Sequence, residues 1–313
     1  HHSPRLNAPL IDSVRDPDFL AAIQEAARDH VVTSARSNTI AAGRTFDVTA
    51  APMPGGGAVA VLRDLTETER MEKTRRDFIA NVSHELRTPL TSIQGYTETL
   101  LDSPIADNHI REFLEIIRKN AARMARLTED LLTLARVESG EQRFDIQNVS
   151  AEELLHDAHE SFREVARSYG VELEVENAVP DAHVNADREA IHQIFSNLIE
   201  NALKYAASGK KIILGARDAF RPASEPLASG VEFYVQDFGP GISSEHLPRL
   251  FERFYRVDKA RSRESGGTGL GLAIAKHIIL AHRGTIRAES ELNHGSTFLF
   301  VLNAVSPDSG AAR

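Results

Sequence analysis

One segment of the chain places a histidine beside groups that suit phosphoryl chemistry. It reads Ser83-His84-Glu85-Leu86-Arg87-Thr88-Pro89-Leu90. A helix here buries its apolar side and leaves His84 and Thr88 toward water. An exposed imidazole is available as a nucleophile, and a carboxylate that accepts from its second ring nitrogen strengthens it. We expect Glu85 to be that carboxylate and Thr88 to position a water for the reverse, hydrolytic reaction. The buried positions are Phe78, Val82, Leu86 and Ile93.

A second segment spaces amides and a lysine along one helix. Within Asn197-Leu198-Ile199-Glu200-Asn201-Ala202-Leu203-Lys204-Tyr205, Asn197 and Asn201 share a face and Lys204 follows one turn later. Amide oxygens coordinate Mg²⁺ while phosphates supply charge, and a lysine can meet the phosphates directly. An ordinary polar helix surface is the alternative interpretation of these residues taken alone.

Two glycine-rich segments follow in order. The first, Asp237-Phe238-Gly239-Pro240-Gly241-Ile242, ends an apolar strand, and its carboxylate can accept the exocyclic amine of adenine. The second, Gly266-Gly267-Thr268-Gly269-Leu270-Gly271-Leu272, leads into an apolar helix whose free backbone amides suit a phosphate chain. Its spacing matches neither the dinucleotide-binding nor the Walker pattern.

Between the two glycine segments lies an aromatic stretch and then a basic one. The stretch Leu250-Phe251-Glu252-Arg253-Phe254-Tyr255-Arg256 precedes a run that contains Lys259, Arg261 and Arg263. This pattern favours a mobile lid whose basic side chains supply local positive charge. We expect Arg256 to contact the terminal phosphate. A solvated loop with scattered charge is the alternative for each basic residue.

The overall composition limits the function classes. With 313 residues, two or three domains are expected, and a net charge of −9 argues against broad nucleic-acid binding. No apolar run approaches the roughly 20 residues of a membrane span. The chain has no cysteine, which excludes thiolate metal sites and disulfides and fits a reducing compartment.

The pattern along the chain predicts the elements that position these residues. A long helix from Thr66, bent past His84 by Pro89, and a second helix ending at Gly140 form an antiparallel hairpin. The second helix carries an apolar heptad-like seam that its own partner cannot cover, so we expect a dimeric four-helix bundle. Strands and helices then alternate as in a two-layer α/β sandwich. The seam consists of Ile110, Leu114, Ile117, Ala121, Met124, Leu127, Leu131, Leu134 and Val137.

The segments in this order closely resemble the sensor histidine kinases of two-component systems, of the phosphate-regulon type. The likeness covers about three quarters of the chain: the phospho-acceptor box, the asparagine box, the two glycine boxes and the aromatic segment. It implies the ATP-binding sandwich shared with the chaperone, gyrase and mismatch-repair ATPases, here at 141–306. It also implies a dimerisation and histidine phosphotransfer domain at 65–140. Residues 1–64 resemble part of an α+β PAS domain, and 307–313 form a tail.

The resemblance implies a kinase that phosphorylates His84 with Mg-ATP in a homodimer and passes the phosphoryl group to an aspartate of a response-regulator receiver domain. It makes Asn201 the Mg²⁺ ligand, turns Asn197 and Lys204 toward the phosphates, and sets Tyr205 beside the nucleoside. It further suggests a cytoplasmic portion of a longer bacterial receptor anchored in the inner membrane. The remaining expected ATP-binding residues are Asp237, Gly239, Gly241, Ile242, Phe254, Arg256, Gly267, Thr268, Gly269, Leu270, Gly271 and Leu272.

Three alternatives stay open. A non-phosphorylating ATPase could use the same sandwich for conformational clamping, although the acceptor helix argues against it. A degenerate kinase could serve as a scaffold, although Asn201, Asp237 and the glycines argue against that. A kinase dominated by phosphatase activity is the closest rival, because Thr88 can support attack of water on a phospho-aspartate.

Overall fold

The computed structural model describes residues 14–102, 107–219, 230–258 and 267–305. The chain divides into two compact units, His1–Ser83 and His84–Arg313. Within the described ranges, no helix is both long enough and apolar enough to cross a membrane. The predicted lid residues Lys259, Arg261 and Arg263 and the predicted tail lie outside the described residues.

The first unit contains a small α+β element. Helix α1 (Pro17–Asp29) begins after Asp16, whose carboxylate caps it by accepting from the Phe19 amide at 2.7 Å. The helix packs its apolar face on an antiparallel sheet in the order β1-β2-β3. The strands are β1 (Thr33–Ser37), β2 (Phe46–Pro52) and β3 (Ala58–Asp64). The sequence predicts a helix near 19–30 and strands near 44–50 and 58–62, which correspond to α1, β2 and β3. It does not predict β1, which has no alternation of apolar and polar residues.

Two long helices follow. Helix α2 (Thr66–Asp102) continues through Pro89 without interruption, and the predicted bend there stays a prediction. Helix α3 (Asp107–Ser139) ends before Gly140, whose positive φ of 71° fits a helix terminus. Of the predicted seam, Leu127, Leu134 and Val137 are buried, and α3 packs against helix α6 (Gly271–Ala281) of the sandwich.

Several apolar side chains of this pair of helices remain uncovered by the described part of the chain. Leu90, Leu114 and Leu132 are 45%, 53% and 57% exposed. Apolar side chains that recur along helices in this way mark a surface suited to association. The pattern agrees with the expectation that one hairpin cannot bury its own stripe.

The remaining elements form the predicted two-layer α/β sandwich. Its sheet has the order β5-β7-β8-β10-β9, in which only the β5–β7 pair is parallel. Helix α5 contacts both α4 and α6 and packs on the sheet. Three rings, Phe195, Phe233 and Phe300, meet in the core with centroids 5.2–6.1 Å apart. The helices are α4 (Ala151–Ser168), α5 (Arg188–Tyr205) and α6 (Gly271–Ala281).

The sequence predicts strands near 143–149, 171–176, 211–217, 231–237, 284–289 and 296–302, and the observed strands agree to within a few residues, with one omission. The short strand β6 was missed, because His183-Val184-Asn185-Ala186 is too short to show a period. It pairs with β4 in a separate two-stranded sheet. The strands are β4 (Gln147–Ser150), β5 (Glu172–Asn177), β6 (His183–Ala186), β7 (Lys211–Asp218), β8 (Gly230–Asp237), β9 (Thr285–Glu291) and β10 (Gly295–Asn303).

Candidate functional site

A cavity of about 500 Å³ lies between α5, the end of β8 and the start of α6. It is large enough for a nucleotide-sized ligand. Most of the residues predicted to bind ATP line it: Asn197, Asn201, Lys204, Tyr205, Asp237, Gly241, Ile242, Arg256, Gly267, Thr268, Gly269, Gly271 and Leu272.

Three predicted residues do not line the cavity but form the structure behind it. Gly239 donates its amide to the Asp237 carboxylate at 3.0 Å, and a side chain on it would collide with Ala206. The Phe254 amide donates to the Gly269 carbonyl at 2.8 Å, which joins the aromatic segment to the second glycine segment. Leu270 is fully buried before α6. These three residues lie behind the cavity wall, and their role as ligand contacts stays a prediction.

Helix α5 directs a donor of the expected kind into the cavity. The amide nitrogen Nδ2 of Asn197 is buried and has no hydrogen-bond partner within the described parts of the chain. A buried donor left unpaired is costly, so a ligand acceptor would remove the penalty. Gly271 approaches so closely that a Cβ on it would lie 2.9 Å from the Asn197 Oδ1. A side chain at this position would therefore displace the Asn197 amide.

The carboxylate of Asp237 is buried at the cavity wall and held by two backbone amides. Asp237 is 5% exposed, and its Oδ1 accepts from the amides of Gly239 and Ser296 at 3.0 and 3.2 Å. Burial raises the pKa of this carboxyl, and the two amide hydrogen bonds oppose that rise. Both of these bonds fall on Oδ1, so Oδ2 is the oxygen that they do not occupy.

The backbone after Asp237 turns at Gly241. Its φ of 70° lies in the left-handed region, and a Cβ there would lie 2.0 Å from the Glu291 carbonyl oxygen. The sharp turn carries the chain past β9 and lets Ile242 donate its amide to Ser290 Oγ at 2.8 Å. The glycine thus fixes the wall of the cavity beside Asp237.

Lys204 has a partner that the sequence analysis did not use. Its Nζ donates to Glu200 Oε2 at 2.9 Å, one helical turn earlier. The same oxygen lies 3.5 Å from Arg126 of α3. Lys204 still lines the cavity.

On α2, the acceptor helix, His84 is exposed as predicted, but Glu85 does not have the predicted partner. The side chains of His84 and Thr88 are exposed, and Thr88 Oγ1 donates to the His84 carbonyl at 3.2 Å. The Glu85 carboxylate does not accept from the His84 ring. Adjacent positions on a helix point about 100° apart, and Glu85 Oε2 instead accepts from Arg123 at 2.7 Å and Arg256 at 3.2 Å.

Arg256 therefore lies between the acceptor helix and the cavity. Its side chain is 7% exposed, and it donates to Glu85 and to the Gly267 carbonyl. The cavity wall and the part of α2 that begins at His84 belong to the same compact unit. The residue predicted to contact the terminal phosphate thus also reaches the neighbour of the predicted acceptor.

Family models match both parts of this arrangement. The His Kinase A (phospho-acceptor) domain matches residues 74–140, and the histidine kinase-, DNA gyrase B-, and HSP90-like ATPase matches residues 186–306. Together these matches cover more than half of the chain. The chain belongs to the sensor histidine kinases. The predicted family and fold class are confirmed, as is the use of ATP with Mg²⁺ by its ATPase domain.

Two known proteins and one solved structure are similar to the kinase. It is 40% identical over 242 residues to the phosphate regulon sensor protein PhoR of Pseudomonas aeruginosa, a match covering 76% of the kinase and 52% of PhoR. It is 39% identical over 252 residues to the sensor histidine kinase WalK of Bacillus subtilis, covering 79% of the kinase and 39% of WalK. The chain spans about half the length of such relatives, or less.

The solved structure is that of the histidine kinase ThkA in complex with the response regulator protein TrrA. It superposes with a TM-score of 0.58 and 23% identity, covering 94% of the kinase and 85% of ThkA. At this level of identity the likeness concerns the fold.

One cavity residue of the kinase was not predicted from the sequence. Asp130 of α3 lines the cavity and accepts from Thr268 Oγ1 at 2.6 Å. Burial raises the pKa of the Asp130 carboxyl, and the Thr268 hydrogen bond opposes that rise. One signal was present: Asp130 lies three residues after Leu127 and four before Leu134, on the apolar face of its helix.

A second contact between α3 and the sandwich lies nearer the end of the helix. Glu138 Oε1 accepts from Arg253 at 2.6 Å and lies 3.0 Å from Nε2 of His277. Burial lowers the pKa of His277, although the neighbouring Glu138 carboxylate acts to raise it. The aromatic segment and α6 are thus both attached to the hairpin.

Replacing Asp130 by asparagine should tighten ATP binding by the kinase about fivefold, or ~1 kcal/mol, near pH 8. Asparagine keeps an acceptor for Thr268 but removes a negative charge from a cavity that receives an anion. Because the pKa of Asp130 is raised, protonation at lower pH relieves the same repulsion in the unchanged kinase. The advantage of Asp130→Asn should therefore shrink as the pH falls through that pKa.

Isothermal titration calorimetry of both proteins between pH 5 and 8 measures this difference. Glu129→Gln, a charge removal at the exposed neighbouring position, is the matched control and should leave the affinity unchanged. Equal affinities of Asp130→Asn and the unchanged kinase at every pH would show that the carboxylate does not oppose the nucleotide.

Proposed function

We propose that the kinase phosphorylates His84 from Mg-ATP and transfers the phosphoryl group to an aspartate of a response regulator. The observation that carries the proposal is the pairing, within one compact unit, of an exposed imidazole with a cavity bordered by Arg256. A nucleotide in that cavity would extend its phosphates toward the unpaired Nδ2 of Asn197 and toward the backbone amides at the start of α6, where a helix favours an anion.

The reaction is a displacement at the terminal phosphorus. One ring nitrogen of His84 forms a bond to phosphorus, and the bond from phosphorus to the bridging oxygen breaks, so that ADP leaves. The proton on the other ring nitrogen passes to the Glu85 carboxylate. Arg256 and Lys204 exchange their carboxylate partners for phosphate oxygens and balance the developing charge.

The metal site uses the amides of α5. Asn201 would hold Mg²⁺ through its side-chain oxygen, and Asn197 would donate to the phosphates beside it. When bound, the ion neutralises phosphate charge and aligns the terminal group. Tyr205, 40% exposed at the end of α5, would flank the nucleoside, and Asp237 would accept from the adenine amine.

The proposed partners follow from the surfaces and the family. A second copy of the chain would cover the exposed leucines of α2 and α3 in a four-helix bundle. The receiver domain of a response regulator would accept the phosphoryl group from His84. Support comes from the family and from ThkA, whose solved complex contains the response regulator TrrA. The kinase would serve in a longer receptor anchored in the bacterial inner membrane, with no role for nucleic acid.

A hydrolytic activity toward the phosphorylated regulator is the second candidate. Thr88 lies one helical turn after His84, and its exposed hydroxyl points along the same face. In that position the hydroxyl would orient a water for attack on a phospho-aspartate. The same helix surface would then serve both transfer of the phosphoryl group to the regulator and its hydrolytic removal.

The chemical stability of the label tests the main proposal. Incubation of the kinase with γ-labelled ATP and Mg²⁺ should give a protein label that is lost in acid and retained in base, as expected for a phosphoramidate. The label should then move to an added receiver domain. α-Labelled ATP, as a control, should leave the protein unlabelled. An acid-stable label, or ATP binding with no label at all, would contradict a histidine kinase.

A further inference from the structure

The Glu85 carboxylate contacts two guanidinium groups through one oxygen. Arg123 donates to Oε2 at 2.7 Å and Arg256 donates to the same atom at 3.2 Å. The side chains of Glu85, Arg123 and Arg256 are 21%, 13% and 7% exposed. A carboxylate so poorly exposed requires a charged partner, because removing it from water without one is costly.

The two arginines come from different parts of the fold. Arg123 lies on α3, the partner of the acceptor helix in the hairpin, so it stays beside Glu85 when the hairpin moves as one body. Arg256 lies in the sandwich, next to the Gly267 carbonyl and the cavity. In the proposed function Arg256 turns to the terminal phosphate. Within the described ranges, Arg123 is then the remaining charged group in contact with Glu85.

The position of Glu85 relative to His84 makes that remaining contact important. The two residues are adjacent on α2, and adjacent helical side chains diverge by about 100°. The carboxylate must therefore be held at a defined angle to meet the imidazole. Both arginines bind Oε2, so a carboxylate that keeps Arg123 on Oε2 retains Oε1 as the acceptor for the ring proton.

We propose that Arg123 is a positioning residue for autophosphorylation, which orients the Glu85 carboxylate toward the His84 ring once Arg256 has moved to the nucleotide. This inference rests on the proposed function. Arg123 touches neither the substrate nor the reacting atoms and acts only through Glu85. Its loss should lower the rate of the chemical step and leave nucleotide affinity unchanged.

The test compares Arg123→Met, Arg123→Lys and the matched control Arg118→Met. Arg118 lies on the same helix, is 75% exposed and pairs with Glu115 at 2.8 Å. At saturating ATP, Arg123→Met should label His84 about tenfold more slowly, with the KM for ATP changed less than twofold. Arg123→Lys should recover part of the rate, and Arg118→Met should match the unchanged kinase.

A double-mutant cycle separates positioning from support of the helices. In a Glu85→Gln background, Arg123→Met should cause no further loss of rate, because the group through which it acts has gone. Circular dichroism melting of each variant checks that the hairpin is folded. An equal loss of rate in both backgrounds, or no loss from Arg123→Met in a folded protein, would overturn the inference.

The outcomes also separate this inference from the function on which it rests. Labelling of the unchanged kinase on His84, together with a full rate for Arg123→Met, would refute only the role of Arg123. Failure of the unchanged kinase to label His84 would refute the proposed function and the role of Arg123 with it.

Discussion

Replacing His84 by alanine should abolish the acid-labile label, a loss of about a thousandfold or more. The imidazole is the proposed attacking group, and its exposed ring has no substitute at that point of the acceptor helix. His84 does not line the cavity, so the affinity of His84→Ala for Mg-ATP should equal that of the unchanged kinase. Radiolabelling and calorimetry on the same preparations measure both quantities.

A matched control guards against a general effect of losing a histidine. His294 is exposed between β9 and β10 and has no proposed role in phosphorylation. The variant His294→Ala should therefore be labelled like the unchanged kinase. Undiminished labelling of His84→Ala would place the acceptor elsewhere in the chain and remove the basis of the proposed function.

Replacing Asn201 by alanine should lower the rate of labelling by about a hundredfold or more and weaken Mg-ATP binding. The amide is the proposed metal ligand on α5, and it lines the cavity together with Asn197 and Lys204. Alanine is a good helix former, so α5 should stay intact. The loss should be largest in the presence of Mg²⁺, which calorimetry with and without the metal can reveal.

The control for this change is Asn185→Ala. Asn185 is exposed on β6, outside the cavity, and its replacement should affect neither binding nor labelling. If Asn201→Ala bound Mg-ATP as tightly as Asn185→Ala and labelled at the same rate, the metal would have to be held by other groups.

The sequence sufficed for the elements that carry long periodic patterns or several glycines. Helices α3 and α5 were predicted from apolar residues that recur at helical spacing, whereas α6 and the main strands were predicted from apolar runs beside turn residues. The cavity residues were predicted because each glycine segment follows or precedes a regular element. The strands β1 and β6 were missed because four or five mixed residues show no period.

The partners of charged side chains were the least predictable part of the site. Glu85 contacts Arg123 and Arg256, which are 38 and 171 positions away in the sequence. Contacts between residues so far apart in the sequence cannot be predicted from local spacing. The Lys204–Glu200 pair was predictable in principle, since its members are four residues apart on one helix. Asp130 lines the cavity because α3 packs against the sandwich, and this packing depends on the tertiary fold.

The placement of Arg123 and Asp130 on α3 has a mechanical consequence. They are seven residues apart, so they lie on nearly the same side of the helix, about 10 Å apart along its axis. One touches the neighbour of the phosphate acceptor, and the other touches the wall of the nucleotide cavity. Any rotation of this helix about its own axis must therefore move both contacts together. A single motion would link the site around the phosphate acceptor to the wall of the nucleotide cavity.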